Sequence, residues 1–272
     1  MKDKIIHFLD WLIYWSIVIM PFSVAISSGM ADMFLGFMFA SFLIKKLLKK
    51  ENLFIHTPVN WAFLALFAAS LISFRNSVDW HASLFGLVKL LKYSLIFLIC
   101  AQEIKDRRQI KRIVISIAFG ACLVSIDAVW QCLFGKDFIR GYTVLTDSVN
   151  PDYVMRMGRA RASFGDPNVL GVYLALITPL ITGLALFYYR GKKRILVLCA
   201  SFLALLGIGL TFSRGSGFGV YLALLWMGLV KRQKLLIMVL LGIVLISPFV
   251  LPKSIKNWAK SMHYNPVALA FN

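Results

Sequence analysis

Two stretches of this chain place cations, glycines and small polar groups directly before a long apolar run. They are Gly158–Leu180 (GRARASFGDPNVLGVYLALITPL) and Leu210–Leu225 (LTFSRGSGFGVYLALL). Guanidinium forks match the oxygens of phosphate groups in pairs, and a helix N-terminus presents unpaired N–H groups to an anion. Residues of these types at the mouth of an apolar helix are suited to holding an anionic, lipid-linked substrate at a bilayer surface.

In the first stretch Arg156, Arg159 and Arg161 precede Asp166-Pro167-Asn168. Asp166 reads as the N-cap of the following helix, with Pro167 at its first position. Two readings stand side by side: interfacial anchors ahead of a capped helix, or a phosphate cradle. In the second stretch Arg214 lies between Ser213 and Gly215 in a short turn. Outward-facing turns tend to avoid Arg, so this position favours a functional role. Lys89, Lys92 and Asp127 fall inside apolar runs, where a charge is costly and usually paired or functional. The spacing predicts a Lys89–Asp127 pair, serving as structural glue or in substrate binding, with Lys92 requiring another partner or an aqueous cavity.

The four histidines, His7, His56, His81 and His263, have no neighbouring motif that marks a base. Cys100, Cys122, Cys132 and Cys199 lie in apolar segments without metal-ligand spacing and read as packing residues. No metal site or cofactor is expected, and neither a nucleophile elbow nor a phosphate-binding loop occurs.

The elements that must position these residues are helices. The chain has 272 residues, of which 60% are hydrophobic and 15% charged. With a mean hydropathy of +0.78, this composition predicts an all-α polytopic membrane protein. Long uninterrupted apolar runs exclude the alternating pattern of an outer-membrane barrel. The net charge of +18 is spread over short clusters between apolar runs, which reads as topology signals rather than nucleic-acid binding. No cleavable signal peptide is evident.

Nine spans are expected at 9–26, 30–44, 59–74, 82–102, 113–134, 168–189, 195–212, 216–230 and 235–251. Several lie at or below the ~20 residues needed by a straight transmembrane helix. Alternate loops carry eighteen Lys and Arg on one side and ten on the other. The ten lie mostly in longer segments, where charge has less influence on orientation. This predicts a cytoplasmic N-terminus and an external C-terminus for a single transmembrane domain, 1–272. It also places a long loop, 135–167, and a tail, 252–272, outside. The short cytoplasmic loops leave no room for a nucleotide-binding domain.

Arg161-Ala-Ser-Phe-Gly-Asp-Pro-Asn168 before an apolar helix resembles the R-x-x-G/F-x-x-P-N entry segment of bacterial O-antigen ligases and O-antigen polymerases. Leu210-Thr-Phe-Ser-Arg214-Gly is similar to that family's T-x-S-R-G segment, and one helical hairpin separates the two, as in the family. The resemblance implies transfer of a glycan from an undecaprenyl-diphosphate carrier to an acceptor hydroxyl at the external face of the bacterial inner membrane. The acceptor would be lipid A-core, a growing polysaccharide or a protein, and no metal is implied. Arg161 and Arg214 would engage the diphosphate, with Arg159, Lys89 and Lys92 as further cations. Asp127, Asp166, Asn168 and Ser213 would support them. The family also carries a large external loop with a catalytic His after its ninth or tenth span; His263 occupies the corresponding region. The chain is therefore expected to be an incomplete version of a larger multispan glycosyltransferase fold.

Two other function classes fit the composition. One is a transporter or flippase for a lipid-linked or anionic solute, which would use the intramembrane Lys89, Lys92 and Asp127. The other is a noncatalytic membrane subunit. A transporter needs access from both faces, whereas a ligase needs its acidic substrate only outside.

Overall fold

The computed structural model describes residues 2–52, 58–144 and 158–250. Among them the chain is helical and contains no strand, only an isolated antiparallel bridge between Lys136 and Thr143. The helices are α1 (Lys2–Ile26), α2 (Ser28–Lys49), α3 (Pro58–Ser73), α4 (Trp80–Glu103), α5 (Arg107–Phe134), α6 (Pro167–Gly183), α7 (Gly191–Thr211), α8 (Arg214–Val230) and α9 (Lys234–Val250). Each expected span falls on one of them. Among the described residues five helices are long and apolar enough to cross a membrane: α1, α4, α5, α6 with its π-helical extension to Tyr188, and α7. Residues Val59–Ser73, Arg214–Val230 and Lys234–Ile243 form shorter apolar helices.

Several helices run beyond their apolar runs. α1 begins at Lys2, and α5 begins at Arg107 within the basic cluster. Lys and Arg are good helix formers, so only the hydrophobicity changes where an apolar run ends. Asp79 caps α4 by accepting from the backbone N–H groups of His81 and Ala82 at 2.9 and 3.1 Å.

The chain divides into two compact units, Met1–Ile117 and Ala118–Asn272. In the first, Ile13 and Ile17 of α1, Met38 and Phe42 of α2 and Ile99 of α4 form the core. Their spacing of three or four positions puts them on one face of each helix. A buried cation joins the same three helices: Lys45 Nζ lies 2.6 Å from Asp10 and 2.7 Å from Glu103.

In the second unit α6 is central. Leu170, Gly171, Leu174, Ile177, Thr178, Ile181 and Thr182 make a continuous buried stripe. The facing stripes include small residues at the close approaches: Ser201, Ala204 and Gly207 on α7 and Ser216 on α8. Small residues allow helix backbones to approach closely where apolar transfer supplies no driving force between helices. Thr182 and Ser201 add a buried hydroxyl contact of 2.5 Å. The outward faces carry large apolar residues, including Leu176, Phe218 and Trp226, as lipid-facing surfaces require.

Candidate functional site

The site is assembled at one end of the second unit. The C-terminal ends of α5 and α7 meet the N-terminal ends of α6 and α8 there. On α5, Asp127 and Gln131 are one turn apart, and both are fully buried. Neither bonds mainly within its own helix; each reaches into nonhelical chain. Gln131 Oε1 accepts from the backbone N–H groups of Arg161 and Ala162, both at 2.9 Å. Its Nε2 donates to the Tyr142 carbonyl at 2.8 Å. Asp127 Oδ1 accepts from Phe138 N–H at 2.9 Å, and the Ser163 backbone also hydrogen-bonds to this carboxylate. Among the described residues its buried Oδ2 has no hydrogen-bond partner.

The turn after α5 is organised by a second buried carboxylate. Asp137 Oδ1 accepts from the N–H groups of Ile139, Arg140 and Gly141, and Oδ2 accepts from Tyr142 N–H. Its own N–H donates to the Tyr142 carbonyl at 2.9 Å. Four amides that a loop would otherwise leave to solvent thus converge on one side chain.

Residues 158–166 carry the first arginine stretch. The Ala160 N–H donates to Leu210 O at 2.9 Å, and Arg159 Nε donates to Thr211 O at 3.0 Å. The two arginine-bearing stretches are therefore bonded directly to each other. Arg159 Nη2 donates to Asn168 Oδ1 at 2.7 Å, tying the guanidinium to the first turn of α6. Arg161 Nε donates to the Thr143 carbonyl at 2.8 Å, Nη1 reaches Gly165 O at 3.4 Å, and the guanidinium carbon lies 5.0 Å from the Tyr142 ring centroid. Ala162, fully buried, has φ 45°. A side-chain-bearing residue in this left-handed region costs about 1–2 kcal/mol, and the bond from its N–H to Gln131 helps to hold it there.

Asp166 caps α6 as expected. Its Oδ1 accepts from the N–H groups of Asn168 and Val169 at 2.6 and 3.3 Å, and Pro167 opens the helix. The N-termini of α6 and α8 then approach closely. A Cβ built on Gly171 would meet Ser216 Oγ at 2.6 Å and Ser213 Cβ at 3.0 Å. Ser213 Oγ and Ser216 Oγ are themselves 2.9 Å apart. Arg214 is the first residue of α8 and is exposed, rather than lying in a turn ahead of it. The turn proper is Phe212-Ser213, made tight by a φ of 50° at Phe212.

The electrostatics of this end follow from its acceptors. Among the described residues neither Arg159 nor Arg161 enters an ion pair; their hydrogen-bond partners are carbonyl oxygens. Neutral acceptors orient a guanidinium without cancelling its charge, so both remain able to attract an anion. The described residues contain no group of three or more His, Cys, Asp or Glu side chains that could hold a metal ion.

The other cations expected to contribute belong to the first unit. Lys92 pairs with Asp32 of α2, and Lys89 is exposed on α4. Lys89 and Asp127 fall in separate units, and within its own unit Asp127 accepts from backbone N–H groups. His263 and Arg156 lie outside the described residues.

Gln131 and Asp137 were not singled out from the sequence. For Gln131 a signal existed: with Asp127 it puts two polar side chains one turn apart in an otherwise apolar helix, an arrangement that calls for buried partners. Asp137 occupies a polar loop, where an Asp carries no such signal.

No protein-family model, curated protein or solved structure matches this chain.

Proposed function

We propose that this chain belongs to a bacterial inner-membrane glycan ligase or polymerase, crossing the bilayer nine times with its N-terminus in the cytoplasm. The reaction is transfer of an undecaprenyl-diphosphate-linked glycan to an acceptor hydroxyl at the external face. The observation that carries this reading is the direct bonding of the two arginine-bearing stretches at one end of the helices, with Arg159 and Arg161 held only by neutral acceptors. The basic clusters at the opposite helix ends support the orientation.

In the proposed reaction the acceptor oxygen attacks the anomeric carbon. The bond from that carbon to the diphosphate oxygen breaks, and its electron pair leaves with the lipid diphosphate. Negative charge grows on this leaving group, where positioned guanidinium groups lower the barrier. Arg161 and Arg214 take that role, and Arg159 adds charge beside Asn168. The acceptor hydroxyl loses its proton to a base, for which His263 is the candidate.

Complementation tests the proposal. Cells lacking the corresponding gene would receive the wild-type chain or Arg214→Ala, and both the polysaccharide ladder and the lipid-linked precursor would be followed. The expected outcome is restoration by the wild type, with loss of the ladder and precursor build-up in the variant. An equally complete ladder with Arg214→Ala, at equal membrane abundance, would remove Arg214 from the transfer step.

A further inference from the structure

We propose that Gln131 is the positioning residue for the Arg161 guanidinium; this rests on the function proposed above. One buried side chain reaches both the backbone of the arginine and the residue under its guanidinium. Its Oε1 accepts from the N–H of Arg161 itself and from that of Ala162, which fixes the backbone where the side chain begins. Its Nε2 holds the carbonyl of Tyr142, whose ring lies under the guanidinium 5.0 Å away. The next carbonyl, that of Thr143, accepts from Arg161 Nε at 2.8 Å. The base and the landing platform of Arg161 are thus tied to a single amide on α5.

Side-chain chemistry explains why the residue is an amide. Two backbone N–H groups and one carbonyl must be satisfied together in a site closed to solvent. Only Asn and Gln carry both a double acceptor and a donor of this type, and neither brings a charge that would neutralise a nearby guanidinium. A carboxylate could accept from both N–H groups but could not donate to the Tyr142 carbonyl, which would keep only the Asp137 N–H and lose its tie to α5. It would also set a negative charge beneath the cation. Glu at this position therefore separates the two halves of the role.

The test uses the full chain in lipid nanodiscs, with undecaprenyl diphosphate as the binding probe and amide hydrogen exchange as a second readout. Gln131→Leu is expected to speed exchange at Arg161 and Ala162 by at least about tenfold, as expected when a protecting hydrogen bond is lost from a locally opening segment. It should weaken probe binding by about tenfold, the equivalent of one lost contact. Gln131→Glu should keep the two amides protected yet still weaken binding. Adding Gln131→Leu to Arg161→Ala should weaken binding no further, because Gln131 acts through Arg161. Additive losses in that double variant, or unchanged exchange in Gln131→Leu, would overturn the assignment. If Gln131→Leu loosens α5 as a whole, Gln131→Glu decides: full binding there overturns the proposal, and reduced binding with intact protection supports it. Arg161→Ala with unchanged probe binding would instead reject the diphosphate reading, while the exchange data would still report whether Gln131 holds the segment.

Discussion

The two units use buried polarity in opposite ways. In the first, charge meets charge across helices: the buried Lys45 joins Asp10 and Glu103, and nearer the surface Lys92 joins Asp32. In the second, the main buried side chains grip backbone. Gln131, Asp127 and Asp137 accept from amide N–H groups of nonhelical chain, and the exposed Asp166 does the same at a helix start. Ion pairs lock regular helices together and cancel their own charge. Backbone grips instead hold irregular segments in place without spending the arginines. A region arranged to bind an anion needs the second arrangement, because a guanidinium already paired with a carboxylate offers an incoming phosphate little.

Three substitutions probe this contrast. Lys45→Met should have the largest effect, since it leaves the Glu103 carboxylate, 12% exposed, facing Asp10 without a cation. Breaking a buried pair this way costs about 3 kcal/mol, the lower end of the usual range because Asp10 is 42% exposed. Denaturant or thermal unfolding in detergent would measure it, and a loss under about 1 kcal/mol would mean that the first unit does not depend on its charges.

Gly171→Ala examines the close approach in the second unit. The new methyl group would meet Ser216 Oγ at 2.6 Å and Ser213 Cβ at 3.0 Å. The expected cost is about 2 kcal/mol from overpacking, and part of it should return when Ser216→Gly is added. Unchanged stability in the single variant would show that the α6–α8 contact yields easily.

The smallest effect is expected for Asp32→Asn. In its pair with Lys92 the lysine side chain is 31% and the aspartate 56% exposed, and such pairs contribute about 0.5 kcal/mol. A loss approaching that of Lys45→Met would erase the distinction between a locked and an incidental ion pair.

Much of the helical frame was legible because apolar runs and helices share a cause: a backbone in an apolar medium must satisfy its own hydrogen bonds. Asp166 was legible for a similarly local reason, as capping joins residues two and three positions apart. The partner of Lys92 was not, since Asp32 is sixty residues away on another helix. Nor was the placement of Asp127, whose partners at Phe138 and Ser163 lie in segments without a regular pattern. The sequence places Arg214 in a turn ahead of a span starting at 216, whereas α8 begins at Arg214 itself, two positions earlier, at a boundary that hydrophobicity marks poorly.

By itself, the sequence determined that the chain is built of apolar helices, where they lie, and that arginines stand at the entrances of two of them. Those properties depend on composition and on neighbours within a few positions. The tertiary structure alone decided that Thr211 and Leu210 accept from the Arg159–Ala160 segment, and that Gln131 grips Arg161 from thirty residues away. Such contacts depend on which helix faces meet and on how far small residues such as Gly171 let them approach. Local propensity contains neither.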